Sequence, residues 1–135
     1  IFNKNFTGFI IDPIDGTNSF FENYKTYVTQ IAFAENGRIK IGVVYSPELR
    51  MLFYAEKGKG AFYNNKLIES KNLNYKITLI DNSPRPSKYI QSLMNINNIK
   101  TYHESGSIGL KMSLIAINKA DLMIKPDTFK IWDIA

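Results

Sequence analysis

Two aspartates three residues apart, Asp12 and Asp15, stand where a short apolar run, Gly8-Phe9-Ile10-Ile11, gives way to Pro13 and Gly16. A run this short, bounded by such residues, predicts a buried strand. Pro13 stiffens the bend between the two carboxylates, and such a bend can turn both of them, with the Ile14 carbonyl, toward one point. Hard cations such as Mg²⁺ take oxygen ligands of this kind. Gly16 and Thr17 would then open a helix whose backbone N–H groups offer a seat for phosphate. An EF-hand loop is excluded because Ile14 stands where an acidic ligand is needed, and no Gly-Lys-Ser/Thr phosphate loop is present. Read alone, Asp12–Thr17 serves equally well as a pair of turns. A further acid, Asp133, stands in Trp132-Asp133-Ile134-Ala135 at the far end of the chain.

The elements that must position these residues fall into two kinds. From 27 to 63 the chain alternates in character and is rich in β-branched and aromatic residues, which predicts an antiparallel meander. Asn36-Gly37 marks a hairpin between two of its strands. The pattern weakens around 70–75, where a lobe boundary is expected, dividing the chain into 1–73 and 74–135. Beyond it strands alternate with helices: strands at 77–81, 99–102 and 121–124, helices at 86–94 and 107–118, and a last helical turn from Trp132. The helix at 107–118 is apolar on most faces and is expected to be buried.

The bulk properties exclude more than they assign. The chain has 135 residues, no cysteine and a formal net charge of +5. Without cysteine, disulfides and thiolate metal sites are out, which fits a reducing cytoplasm. No stretch approaches the roughly 18–20 apolar residues of a membrane helix. The lysines are scattered and form no basic-aromatic stripe, so neither a nucleic-acid nor a membrane partner is expected.

Together the two acidic segments resemble the paired signatures of the inositol monophosphatase family: Asp-Pro-hydrophobic-Asp-Gly-Thr at 12–17 and Trp-Asp-x-Ala at 132–135. Gly42–Tyr45, Glu56–Phe62, Gly106-Ser107 and Ala120-Asp121 also fall where that family has similar segments. The resemblance implies a layered α/β/α/β/α sandwich of the inositol monophosphatase and fructose-1,6-bisphosphatase type, cut short at both ends. It implies a Mg²⁺-dependent phosphomonoesterase using two or three ions and sensitive to lithium. Asp12, the Ile14 carbonyl, Asp15 and Asp133 would be metal ligands, and Asp15 and Thr17 would serve the attacking water. Gly16 and Thr17 would hold phosphate, while Gly106, Ser107 and Asp127 would line the substrate, Asp127 as a hydroxyl-binding acid. The implied substrate is an inositol phosphate or a similar small polyol phosphate. A 3′(2′),5′-bisphosphate nucleotidase is the alternative, in which Lys111 would meet a second phosphate; an ordinary surface lysine is the favoured reading. Family members are commonly homodimers. The family's upstream Glu-Glu motif has no counterpart in Ile1–Ile11, so a catalytically incomplete fragment is a further alternative. Loss of the first helical layer is expected to leave apolar sheet surface uncovered.

Overall fold

Positive-φ asparagines organise the first half of the chain. In the computed structural model, which describes residues 3–69, 76–125, 129–133 and 135, Asn36 and Gly37 have φ of 50° and 69°. Two successive left-handed residues make the tight turn whose twist matches paired strands. That turn joins β2 (Val28–Glu35) to β3 (Arg38–Ser46). Asn64 and Asn65, at 45° and 66°, repeat the device between β5 (Gly60–Tyr63) and β6 (Lys66–Leu67). With β1 (Gly8–Asp15) and β4 (Met51–Glu56), these strands form one antiparallel sheet in sequence order.

The second half builds a parallel sheet of three strands in the order β8-β7-β9. Its strands are β7 (Thr78–Asp81), β8 (Thr101–Glu104) and β9 (Leu122–Met123). Helix α2 (Lys88–Ile96) connects β7 to β8, and α3 (Ile108–Ala116) connects β8 to β9. Both helices are capped by serine: Ser87 Oγ accepts from the Ile90 N–H and Ser107 Oγ from the Leu110 N–H, satisfying donors that the helix itself leaves open. The mixed α/β class is therefore as expected. The strand expected at 99–102 lies two residues later, because Ile99 is drawn into the core with Leu79, Ile90 and Met94.

Alternation decides which sheet face is covered. Val28, Gln30, Ala32 and Ala34 are buried on one face of β2. Leu110 of α3 packs there with Val28 and Phe53, so a helix from the second half shares a core with the first sheet. The expected boundary at 73/74 lies outside the described residues. The other face is apolar and open: Phe9, Ile11, Ile31 and Ile41 are 67%, 56%, 39% and 41% exposed. The pairings Phe9↔Phe33, Ile11↔Ile31 and Phe33↔Ile41 make these side chains contiguous. A patch of this kind drives association. The 135-residue chain is expected to sediment as oligomers, and Phe9→Lys with Ile41→Lys to shift it toward monomer. A monodisperse monomer without the substitutions would contradict this reading. No helix among the described residues is long and apolar enough to cross a membrane.

Candidate metal and phosphate site

A bulge brings the two signature aspartates together. In a regular strand, residues three apart point to opposite faces. Here Asp12 pairs with Gln30 and Asp15 with Val28, so two residues of β1 oppose one of β2. The extra residue re-aims the strand, as bulges do next to sites. The Thr29 hydroxyl donates to the Pro13 carbonyl at 2.9 Å inside this irregular stretch. Asp133 arrives from the other end of the chain on a single 3-10 turn, Ile131–Asp133, which packs against β1. That turn is closed by the Lys130 N–H donating to Asp133 Oδ2 at 2.8 Å. One carboxylate oxygen from each of Asp12, Asp15 and Asp133 lies within 4.8 Å of the others.

Asp15 is the anchor of this cluster. It is buried, and its Oδ2 accepts from Gln30 Nε2 at 3.0 Å, Ser107 Oγ at 2.6 Å and the Gly109 N–H at 2.7 Å. These three donors, from β2 and the first turn of α3, orient the carboxylate and leave Oδ1 for a cation. Asp12 is less enclosed, and the Ile14 N–H donates to its Oδ1 at 3.2 Å. Burial, then the Asp15 charge, push the Asp12 carboxyl above its ordinary range; Asp133 adds to the rise and the Ile14 N–H opposes it. An acid whose folded pKa is raised gives stability below its unfolded value of 3.8 and loses it as pH rises through the folded value. Asp12→Asn is therefore expected to raise the thermal midpoint of the chelator-treated chain at pH 7, and to lose that gain in acid. An unchanged or lower midpoint at pH 7 would count against repulsion among these carboxylates.

Beside Asp15 opens a cavity of about 370 Å³. Gly16, with φ of 88°, caps the short helix α1 (Thr17–Phe21), and Gly16, Thr17 and Asn18 form one wall. Asn82 and Glu104, at or just past the carboxyl ends of β7 and β8, form another with Gly106 and Lys125; Glu22 and Tyr24 complete the rim. The carboxyl ends of parallel strands are where open α/β sheets place ligands.

Each expected site residue has a definite place except one. Asp12, Asp15 and Asp133 converge, Ile14 lies in the bulge, and Gly16, Thr17 and Gly106 line the cavity. Ser107 is fully buried behind Asp15, where it caps α3 and donates to the carboxylate. Asp127 lies outside the described residues. Lys111 corrects the reading of a surface lysine: it is 2% exposed, because position 111 faces inward on a helix covered on most sides. Trp132 lines a small crevice over Ile10, Gln30, Ala32 and Val44 rather than a deep core. Gln30 and Gly109 carried no signal in the sequence, since a strand glutamine and a helix glycine acquire their role only by meeting Asp15.

Comparison with known proteins points to one family. The model of the inositol monophosphatase family matches residues 2–135. Inositol monophosphatase 1 of Homo sapiens is 31% identical over 136 residues, covering 93% of this chain and 49% of that protein. The 3′(2′),5′-bisphosphate nucleotidase CysQ of Salmonella typhimurium is 29% identical over 131 residues, covering 93% of this chain and 52% of that protein. The solved structure of a Thermotoga maritima IMPase superposes with a TM-score of 0.77 at 30% identity, over 99% of this chain and 53% of that one. The chain thus spans about half the length of these relatives.

Proposed function

Because the chain belongs to the inositol monophosphatase family, we propose that the protein of which it forms part hydrolyses the phosphate monoester of inositol or a similar small polyol, with Mg²⁺ as cofactor. One observation carries this reading: three carboxylates from the two ends of the chain meet beside a cavity that begins at Gly16 and Thr17. The donor set is all oxygen, which suits Mg²⁺. Asp12, Asp15 and Asp133, with the Ile14 carbonyl, would hold the cation. These ligands would serve one ion, and a second or third would draw on further acids. When bound, Mg²⁺ supplies a water acidic enough to act as nucleophile and neutralises phosphate charge.

The chain's own residues do the rest. Gln30, Ser107 and Gly109 keep Asp15 aimed. Thr17 offers a hydroxyl to orient the attacking water, and Gly16 and Thr17 offer backbone to the phosphate. Gly106 lets the segment after β8 close against α1: a Cβ there would overlap the Ser19 hydroxyl. Glu22, Tyr24, Asn82 and Glu104 offer hydrogen-bonding groups suited to the hydroxyls of a polyol leaving group. Asp127 is the candidate for one further hydroxyl contact. The same reading carries a homodimeric, lithium-sensitive, cytoplasmic enzyme.

Lys125 on the cavity wall favours a second reading, in which the leaving group bears another phosphate. The nucleotidase relative, named for a bisphosphate substrate, supports it. Phosphate release from inositol 1-phosphate and from adenosine 3′,5′-bisphosphate, with and without Mg²⁺, decides between them. Mg²⁺-dependent release from the first alone supports the polyol reading; release from the second alone moves the assignment to a nucleotidase. No release by the full-length protein from either would remove both.

A further inference from the structure

Two walls of the cavity meet at one threonine. Thr26 lies between α1 and β2 and is half-buried. Its carbonyl accepts from the Ser107 N–H at 3.0 Å, and its Oγ1 accepts from the Gly106 N–H at 3.2 Å. The same hydroxyl donates to Ser19 Oγ at 3.3 Å. Thr26 therefore holds α1 with its side chain, and the segment before α3 with side chain and backbone together. The fit at this joint is close. Ser19 and Ser107 are buried, and a Cβ on Gly106 would stand 3.1 Å from Thr26 Oγ1 as well as overlapping Ser19. A Cβ on Gly16 would stand 3.3 Å from the Ser107 Cα. Two glycines thus let the walls close, and Thr26 fastens them.

The partners of Thr26 each have a second task. Ser19 belongs to the wall that begins at Gly16 and Thr17, where the phosphatase reading seats the phosphate. Ser107 donates to Asp15 Oδ2, as does the Gly109 N–H, so the far side of the joint aims a ligand of the cation. We propose that Thr26 is a positioning residue: it fixes the phosphate wall against the mount of Asp15 and so sets the spacing between phosphate and cation. It stands outside the cavity lining and acts through Ser19, Gly106 and Ser107. Spacing of this kind governs rate, because reacting groups held slightly out of place lose much of the benefit of being bound together. The inference rests on the phosphatase reading and adds to it a residue that touches neither substrate nor cation.

Thr26→Val keeps the shape and the carbonyl and removes the hydroxyl. In the full-length protein, on whichever of the two esters it hydrolyses, kcat is expected to fall about tenfold or more. KM should change less, since both seats survive and only their spacing is freed. Mg²⁺ affinity, measured by calorimetry without substrate, should stay within about twofold of wild type, because Gln30, Ser107 and Gly109 still hold Asp15. Thr26→Ser, which keeps the hydroxyl, is expected to regain the loss in kcat. Should Thr26→Val not fold, Ser19→Ala frees one end of the joint, with a fall in kcat of about fivefold expected for one lost hydrogen bond and Mg²⁺ affinity again unchanged. Wild-type kcat in the variant, a fall confined to KM, Mg²⁺ affinity lost in step with activity, or a Thr26→Ser protein as impaired as Thr26→Val would overturn the role of Thr26 and leave the phosphatase reading standing. No release by the wild type from either ester would remove that reading and this inference with it.

Discussion

Asp15→Asn is expected to abolish cation binding in a chain that stays folded, whereas Asp15→Ala is expected to bring the chain close to unfolding. The difference follows from how the two oxygens of Asp15 are used. Oδ2 accepts all three protein hydrogen bonds, from Gln30, Ser107 and Gly109. An asparagine can turn its single oxygen to those donors and keep all three, losing charge assistance but also the repulsion with Asp12 and Asp133. We expect a cost of about 1 kcal/mol or less. Its amide then faces the cation with N–H donors where a lone pair is needed, so affinity should fall about a hundredfold or more, the equivalent of roughly 2.8 kcal/mol. Alanine leaves three buried donors with no acceptor, at about 1–3 kcal/mol each before relaxation. A net loss of about 3–5 kcal/mol is expected, a large share of the roughly 5–15 kcal/mol that holds a domain folded. Urea unfolding of both variants, with and without Mg²⁺, measures both effects. Equal stability of the two would show that the three donors do not depend on Asp15, and Mg²⁺ binding retained by Asp15→Asn would remove Asp15 from the ligand set.

The second large effect comes from a methyl group. A Cβ built on Gly109 would stand 2.4 Å from Gln30 Oε1 and 2.6 Å from its Cδ. Gly109 lies inside α3, where alanine is ordinarily favoured over glycine by about 1 kcal/mol. The overlap should outweigh that preference, because the buried Gln30 amide must leave its place on Asp15 to relieve it. Gly109→Ala alone is expected to destabilise the chain by about 1–3 kcal/mol and to weaken cation binding by loosening Asp15. Gln30→Ser shortens the obstructing side chain and leaves room for the methyl. The double variant should therefore be more stable than Gly109→Ala alone, with a coupling of about 1–2 kcal/mol in the cycle of four proteins. A single Gly109→Ala chain as stable as the parent would mean that α3 and β2 separate without cost.

Both predictions depend on residues that carry their role only in the folded chain, which limits what could be read beforehand. Local chemistry was legible wherever a residue acts through its own backbone. Asn36-Gly37 makes its turn because both residues accept positive φ, and alternation along β2 marks the face that α3 covers. The pairing of Asp12–Thr17 with Trp132–Ala135 identified the family and three acids that meet. Helix and strand ends were read less well: the strand expected at 99–102 lies at Thr101–Glu104, because Ile99 packs in the core.

The amino-acid sequence by itself determined the family, the mixed α/β class, the meander and the aspartates that gather, since each rests on a local pattern or a motif. Only the tertiary structure decided how those aspartates come to face one another. A regular strand would send Asp12 and Asp15 to opposite sides, and the bulge opposite Thr29 turns them to one. The three donors on Asp15, the overlap waiting at Gly109 and the burial of Lys111 belong to the same class. Each arises from contact or charge acting between residues distant in the chain, and no spacing along the chain encodes a distance across it.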